Sequence, residues 1–195
     1  MKLKNLLGTI LAISLMPSIA VAEMSLADKY EDLEIIYTQD LLNGDLDMPW
    51  SELIIAEDDF EGDYLAVLDR EKVKGHGGFQ KGAFSEWSKG KVKVYYYSSV
   101  KGMFGGGNSF ISPAKTMMLK IGDSKFSLQG DSGTFEITPD IVNAIKANPN
   151  SVPKVKITPK DEGGFAGFSE MVYEIGEDTV DAWQYIYQDK EIALE

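Results

Sequence analysis

The stretch VKVYYYSSV, residues 92 to 100, constrains this chain more than any other. Side chains of an extended strand alternate between its two faces. Val92, Val94 and Tyr96 therefore share one side, while Lys93, Tyr95 and Tyr97 share the other. Both sides carry apolar or aromatic bulk, which reads as a strand central to a sheet. The preceding GAFSEW and SKGK add a second strand and a tight turn, so this region reads as a hairpin.

Short strands of the same texture run from Tyr64 to Ile175. DYLAVLD is the first. In KTMMLKIGDSKFSLQG, Met117, Leu119 and Ile121 alternate, Gly122 to Ser124 turns the chain, and Phe126 and Leu128 return. GTFEI, PKVKITP and SEMVYEIG supply further strands. TPDIVNAIKANPN predicts a helix with Thr138 as N-cap, Pro139 at the first helical position and Pro149 beyond its end. EDTVDAWQYIYQD predicts a closing helix with Val180, Trp183 and Tyr187 on one side. Near the N-terminus, Leu26, Tyr30, Leu33, Tyr37 and Leu41 fall at helical spacing, so residues 25–44 read as a helix ended by Gly44. The expectation is one α+β domain: a largely antiparallel sheet or partly closed barrel, an N-terminal helix and two short helices. Within it, residues 23–63 form an acidic helical segment, 64–175 the β-rich core and 176–195 the C-terminal helix.

Residues 1–22 read as a signal peptide. Lys2 and Lys4 precede the apolar stretch Leu6 to Met16, and Ala20 and Ala22 occupy the −3 and −1 positions of a small-residue cleavage site. A periplasmic or secreted protein of a bacterial envelope follows, with no membrane span after the leader. The chain has no cysteine, so burial alone must hold the fold, and thiol chemistry and thiolate metal sites are excluded. Charge is segregated. Residues 23–69 carry 15 acidic residues against Lys29 alone, residues 70–160 carry 15 basic against 6 acidic, and residues 161–195 carry 10 acidic against Lys190. The basic middle either binds a polyanion or lies against the acidic flanks. Nucleic acid fits poorly, since the net charge is −12 and Arg70 is the sole arginine.

Three Gly/Phe segments, KGHGGFQKG, VKGMFGGGNSF and EGGFAGF, hold 11 of the 19 glycines. None is followed by a helix and a Gly-Lys-Ser/Thr, so none is a phosphate cradle. They read as turns, with His76, Phe79, Phe104 and Asn108 as candidate contacts if they gather at one end of a sheet. His76 is the only histidine and has no nucleophile elbow to serve. Asp58, Asp59, Glu61 and Asp63 crowd one loop. Against the EF-hand pattern that loop places Glu57 first and Leu68 twelfth, which removes the bidentate ligand and leaves only an irregular calcium site. Lys91, Lys93, Tyr95 and Tyr97 would form a basic and aromatic stripe suited to a partner if exposed.

Between Val92 and Ile175 the segments VYYYSS, MMLKIGDSKFSLQGDSG, IVNAIKANP, VPKVKI and GFAGFSEMV resemble the invasion-associated locus B family of exported bacterial proteins. The resemblance implies a β-rich domain with this hairpin, a brief helix and a late strand, in a non-catalytic periplasmic protein, and it carries over no catalytic residue. The family's cysteines are absent here, and the acidic N-terminal segment is extra. The functional expectation is a non-enzymatic binding protein whose partner is an envelope protein or an anionic glycan, with no cofactor unless calcium. The alternatives are a glycan hydrolase or lyase using the carboxylates of the Asp58 to Asp69 region, and a calcium-stabilised structural protein.

Overall fold

The computed structural model describes residues 30–43, 47–74, 79–101, 107–159 and 170–187. The expected signal peptide, His76, Phe104 and the EGGFAGF segment lie outside them. Within the described residues the strands are β1 (Ile35–Tyr37), β2 (Leu53–Glu57), β3 (Tyr64–Lys74), β4 (Phe79–Ser88), β5 (Lys91–Lys101), β6 (Gly107–Ile121), β7 (Ser124–Gln129), β8 (Thr134–Glu136), β9 (Lys154–Pro159) and β10 (Met171–Glu174). The helices are α1 (Thr38–Leu42), α2 (Pro139–Ala147) and α3 (Glu177–Tyr187). None of these is long and apolar enough to cross a membrane.

The strands make one sheet in the order β1-β2-β3-β4-β5-β6-β9-β10, with β7 paired to β6 and β8 to β5. Every pairing is antiparallel except β1 on β2. The sheet is open, with β1 and β10 at its ends, so the expectation of a sheet or partly closed barrel resolves to an open sheet.

Two tight turns set the register. Ser88 pairs with Lys91 across Lys89–Gly90, and Gly90 takes φ +87°, a left-handed conformation open to glycine at little cost. Ile121 pairs with Ser124 across Gly122–Asp123 in the same way, with Gly122 at φ +56°. β6 is long because it serves two partners in turn. Up to Pro113 it pairs with β5; from Ala114 on it pairs with β9, and from Thr116 also with β7, with a register shift between Ala114 and Thr116. Proline cannot donate to a ladder and sits where pairing is being handed over. A strand that changes partners at such an irregularity turns a sheet through a corner.

The two halves of the sheet consequently face one core. Val67, Ala83, Trp87, Val92, Val94 and Tyr96 come from the first half, and Met117, Leu119, Val155, Ile157 and Tyr173 from the second. α2 contributes Ile141, Ala144 and Ile145. α3 lays Trp183 against Trp87, with ring centroids 4.6 Å apart, and the Tyr187 hydroxyl donates to the Ser88 carbonyl at 3.1 Å. A second, smaller cluster covers the opposite face of the first half, where Leu41, Ile54, Ala66, Leu68, Phe84 and Tyr97 meet. β5 thus has a buried cluster on each face, as its sequence predicts for a central strand.

The N-terminal helix is shorter than its periodicity suggests. Of the span 25–44, the described part is a turn, strand β1 and the five-residue α1. Ile35 and Ile36 are β-branched, and they pair with Ile55 and Ala56 of β2 rather than continue a helix. Only Leu41 of α1 is fully buried.

Candidate functional site

The turn at Lys89–Gly90 determines which side chains of β4 and β5 stand side by side. Counting back from Ser88 and Lys91, Glu86 falls opposite Lys93 and Phe84 opposite Tyr95. All four point to the face away from the main core. Phe84 and Tyr95 stack, with centroids 5.3 Å apart and planes at 29°. Glu86 is only 4% exposed, and Lys93 Nζ lies 3.2 Å from its carboxylate. Tyr64, at the start of β3, completes this group. Its hydroxyl donates to Glu86 Oε1 at 2.7 Å and accepts from Lys93 Nζ at 3.0 Å. Lys91 and Lys93 Nζ lie 5.0 and 5.6 Å from the centroid of the Tyr64 ring. Burial first, and then the Glu86 carboxylate, push the Tyr64 hydroxyl well above the ordinary phenol range.

Above this floor stand two walls. One is α1, anchored by Leu41. The other is the β2–β3 turn, where Asp58 Oδ1 accepts from the amides of Phe60 and Glu61 at 2.9 and 3.1 Å, and Gly62 closes the turn at φ +76°. Ser132 and Thr134 also line the cleft. The enclosed cleft measures about 520 Å³, inside the range of small-ligand and peptide-segment sites. Its rim is both apolar and acidic. Tyr37, Leu42 and Phe60 are 55%, 50% and 93% exposed, and Asp40, Glu57 and Asp59 stand among them. Glu57 raises the pKa of the Tyr37 hydroxyl by its charge and by a hydrogen bond, with smaller contributions from burial, Asp59 and Asp40.

The residues singled out from sequence are distributed as follows. Lys93 and Tyr95 line the cleft. Lys91 stands one step outside and forms an ion pair with Glu61. Tyr97 is fully buried further along β5, so the stripe of two exposed tyrosines does not form. Its hydroxyl accepts from Arg70 Nε at 3.1 Å, and the Arg70 guanidinium lies 4.7 Å from its ring centroid. Gly82 is directly opposite, and a Cβ there would collide with the Glu71 carbonyl and the Tyr97 ring, so this crossing requires glycine.

Phe79 and Asn108 both pair with Val100, on the two sides of β5. The strand ends at Lys74, Phe79, Lys101 and Gly107 therefore lie side by side at one end of the sheet. Val100 is five residues beyond Tyr95, about 17 Å at the rise of a strand, so the backbone of Phe79 and Asn108 lies away from the cleft. Of the acidic set, Asp58 and Asp59 line the cleft, Glu61 is engaged by Lys91, and Asp63 begins the approach to β3. Among the described residues no three histidine or acidic side chains converge as a metal site.

Sequence reasoning missed Tyr64, Phe84, Glu86 and the apolar rim. The turn signal at SKGK contained the first of these pairings, because a two-residue loop dictates 86 opposite 93 and 84 opposite 95. The rim had no local signal, since it comes from β1, α1 and the β2–β3 turn, all far from the hairpin in the chain.

Comparison of the chain with family models, with curated proteins and with solved structures finds no match. The resemblance of residues 92–175 to an exported family accordingly rests on its own motifs.

Proposed function

We propose that this chain is an exported, non-enzymatic binding protein of the bacterial envelope, and that the cleft between α1, the β2–β3 turn and the β4–β5 face receives a segment of a protein partner. The observation that carries the reading is the rim. Three large apolar side chains, Tyr37, Leu42 and Phe60, stand exposed around one concavity whose floor is a stacked aromatic pair. Exposed apolar side chains gathered at one place favour association, whereas singly scattered ones do not. Of the two partner classes the sequence suggests, a protein suits this site better than an anionic glycan. Lys91 and Lys93 already face Glu61 and Glu86, and a polyanion would have to pass Asp40, Glu57 and Asp59 at the mouth.

The test is photo-cross-linking in the producing cells, with benzoylphenylalanine in place of Phe60 and, separately, of Val172 on distant β10. One discrete protein adduct at Phe60 and none at Val172 is the expected result. A diffuse, protease-resistant adduct at Phe60 would put a glycan there instead. No adduct at Phe60, or equal adducts at both positions, would remove the cleft from consideration.

A further inference from the structure

The rim carries more than apolar area. Asp40 on α1 and Glu57 and Asp59 around the end of β2 all border the cleft, and no cation of the described residues pairs with any of them. The nearby cations are turned to other carboxylates: Lys93 to Glu86, and Lys91 to Glu61. Among the described residues, the cleft therefore presents unneutralised negative charge at its mouth, with aromatic side chains below it. That combination attracts an amine or guanidinium borne on an apolar stem, because the carboxylates hold the cation and the rings take the stem or the cation's face.

We propose that the cleft recognises a basic and apolar segment of its partner, with a lysine or arginine side chain set between Asp40, Glu57 and Asp59 and its apolar neighbours packed on Tyr37, Leu42 and Phe60. The half-buried Tyr95 ring, backed by the buried Phe84 on which it stacks, forms the base on which the inserted stem rests. This rests on the protein-partner reading and specifies its chemistry. An acidic segment is rejected at the mouth, and a neutral apolar one leaves the three carboxylates without a counter-charge.

The probes are three fluorescein-labelled hexapeptides alternating leucine with lysine, serine or glutamate, titrated by anisotropy against the full chain without its leader. Because residues 23–195 carry a net charge of −14, the −12 of the whole sequence less Lys2 and Lys4, any cationic peptide is drawn to them somewhat, so two double variants are compared. Asp40→Asn with Asp59→Asn removes charge at the rim; Glu170→Gln with Glu174→Gln removes as much beside β9 and β10. The lysine peptide should bind, and lose about tenfold in affinity, roughly 1.4 kcal/mol, in the rim variant, but less than about twofold in the other. The serine peptide should bind at least tenfold more weakly, and the glutamate peptide not at all.

Equal losses in both double variants would mean attraction to net charge alone and would overturn the proposal. So would equal affinity for the serine and lysine peptides, or no binding by any peptide. These failures are separable from failure of the protein-partner reading, because the cross-link at Phe60 reports a partner whatever its charge. A protein adduct at Phe60 with no preference for the lysine peptide would sink the charge assignment and leave the partner in place.

Discussion

Asp69 shows how much one side chain can tie together. It lies on the core face of β3 and is 4% exposed, accepting from the Thr179 hydroxyl at 2.9 Å and the Gly176 amide at 3.2 Å, so it caps the start of α3 from a distant strand. With its one proton given to Asp69, the Thr179 hydroxyl accepts from the Ser51 hydroxyl at 3.1 Å, and Ser51 is a non-glycine residue held at φ +66° just before β2. Burial outweighs both hydrogen bonds and raises the pKa of Asp69 above its ordinary value of 3.8. The folded state therefore binds this proton more tightly than the unfolded one. The contribution of Asp69 to stability is most favourable below 3.8 and declines as pH rises through its folded pKa. Asp69→Asn, which keeps an acceptor without the charge, should be at least as stable as the parent at pH 7, with the gap closing as pH falls toward 4. Asp69→Ala leaves the Gly176 amide and one Thr179 bond unmet and should cost about 1–3 kcal/mol at either pH. Urea titrations at pH 4, 5.5 and 7 separate these. An Asn variant as damaged as the Ala variant would show that the charge itself holds α3.

At the level of elements, legibility followed the range of the interactions. The β4–β5 and β6–β7 hairpins are written locally, in alternation and in the glycines at positions 90 and 122, and they stand where those signals put them. α2 and α3 are likewise local, with Pro139 opening one and the Val180, Trp183, Tyr187 face burying the other. The span 25–44 misled because Tyr30, Leu33, Tyr37 and Leu41 satisfy helical spacing while the β-branched pair Ile35–Ile36 satisfies a strand. Pairing with β2, a tertiary effect, decided between them. The cleft was half legible for the same reason: its floor lies in one hairpin, its walls in segments far from it in sequence. α3 also tests how firmly a terminal element is bound. Trp183 is wholly buried against Trp87 and Tyr187. Trp183→Ala should lose about 3–5 kcal/mol in chemical denaturation; a loss under about 1 kcal/mol would mean that α3 docks loosely and the core stands without it.

Over the whole molecule, three ion pairs among the described residues join the acidic flanks of the sequence to its basic middle. Glu61 from the acidic N-terminal part meets Lys91 of the basic middle, and on the other half of the sheet Glu174 and Glu170 from the acidic C-terminal part meet Lys154 and Lys156 at 2.8 and 2.6 Å. Two opposed electrostatic effects then act on stability. The Lys154–Glu174 and Lys156–Glu170 pairs are solvent-exposed, each worth about 0–1 kcal/mol and weakened by salt. Against them stands self-repulsion from a net charge of −14 over residues 23–195, the −12 of the whole sequence less Lys2 and Lys4, including the rim at Asp40, Glu57 and Asp59, which no cation of the described residues neutralises; salt relieves this repulsion. With few pairs to lose and much repulsion to screen, the second effect should win. The melting temperature of residues 23–195 should rise between about 10 mM and 500 mM sodium chloride, and the rise should shrink in the Asp40→Asn, Asp59→Asn variant, which has less repulsion at the rim. A fall in melting temperature with salt would mean that the ion pairs between flanks and middle hold the fold together, and that the acidic cleft is balanced by charges outside its walls.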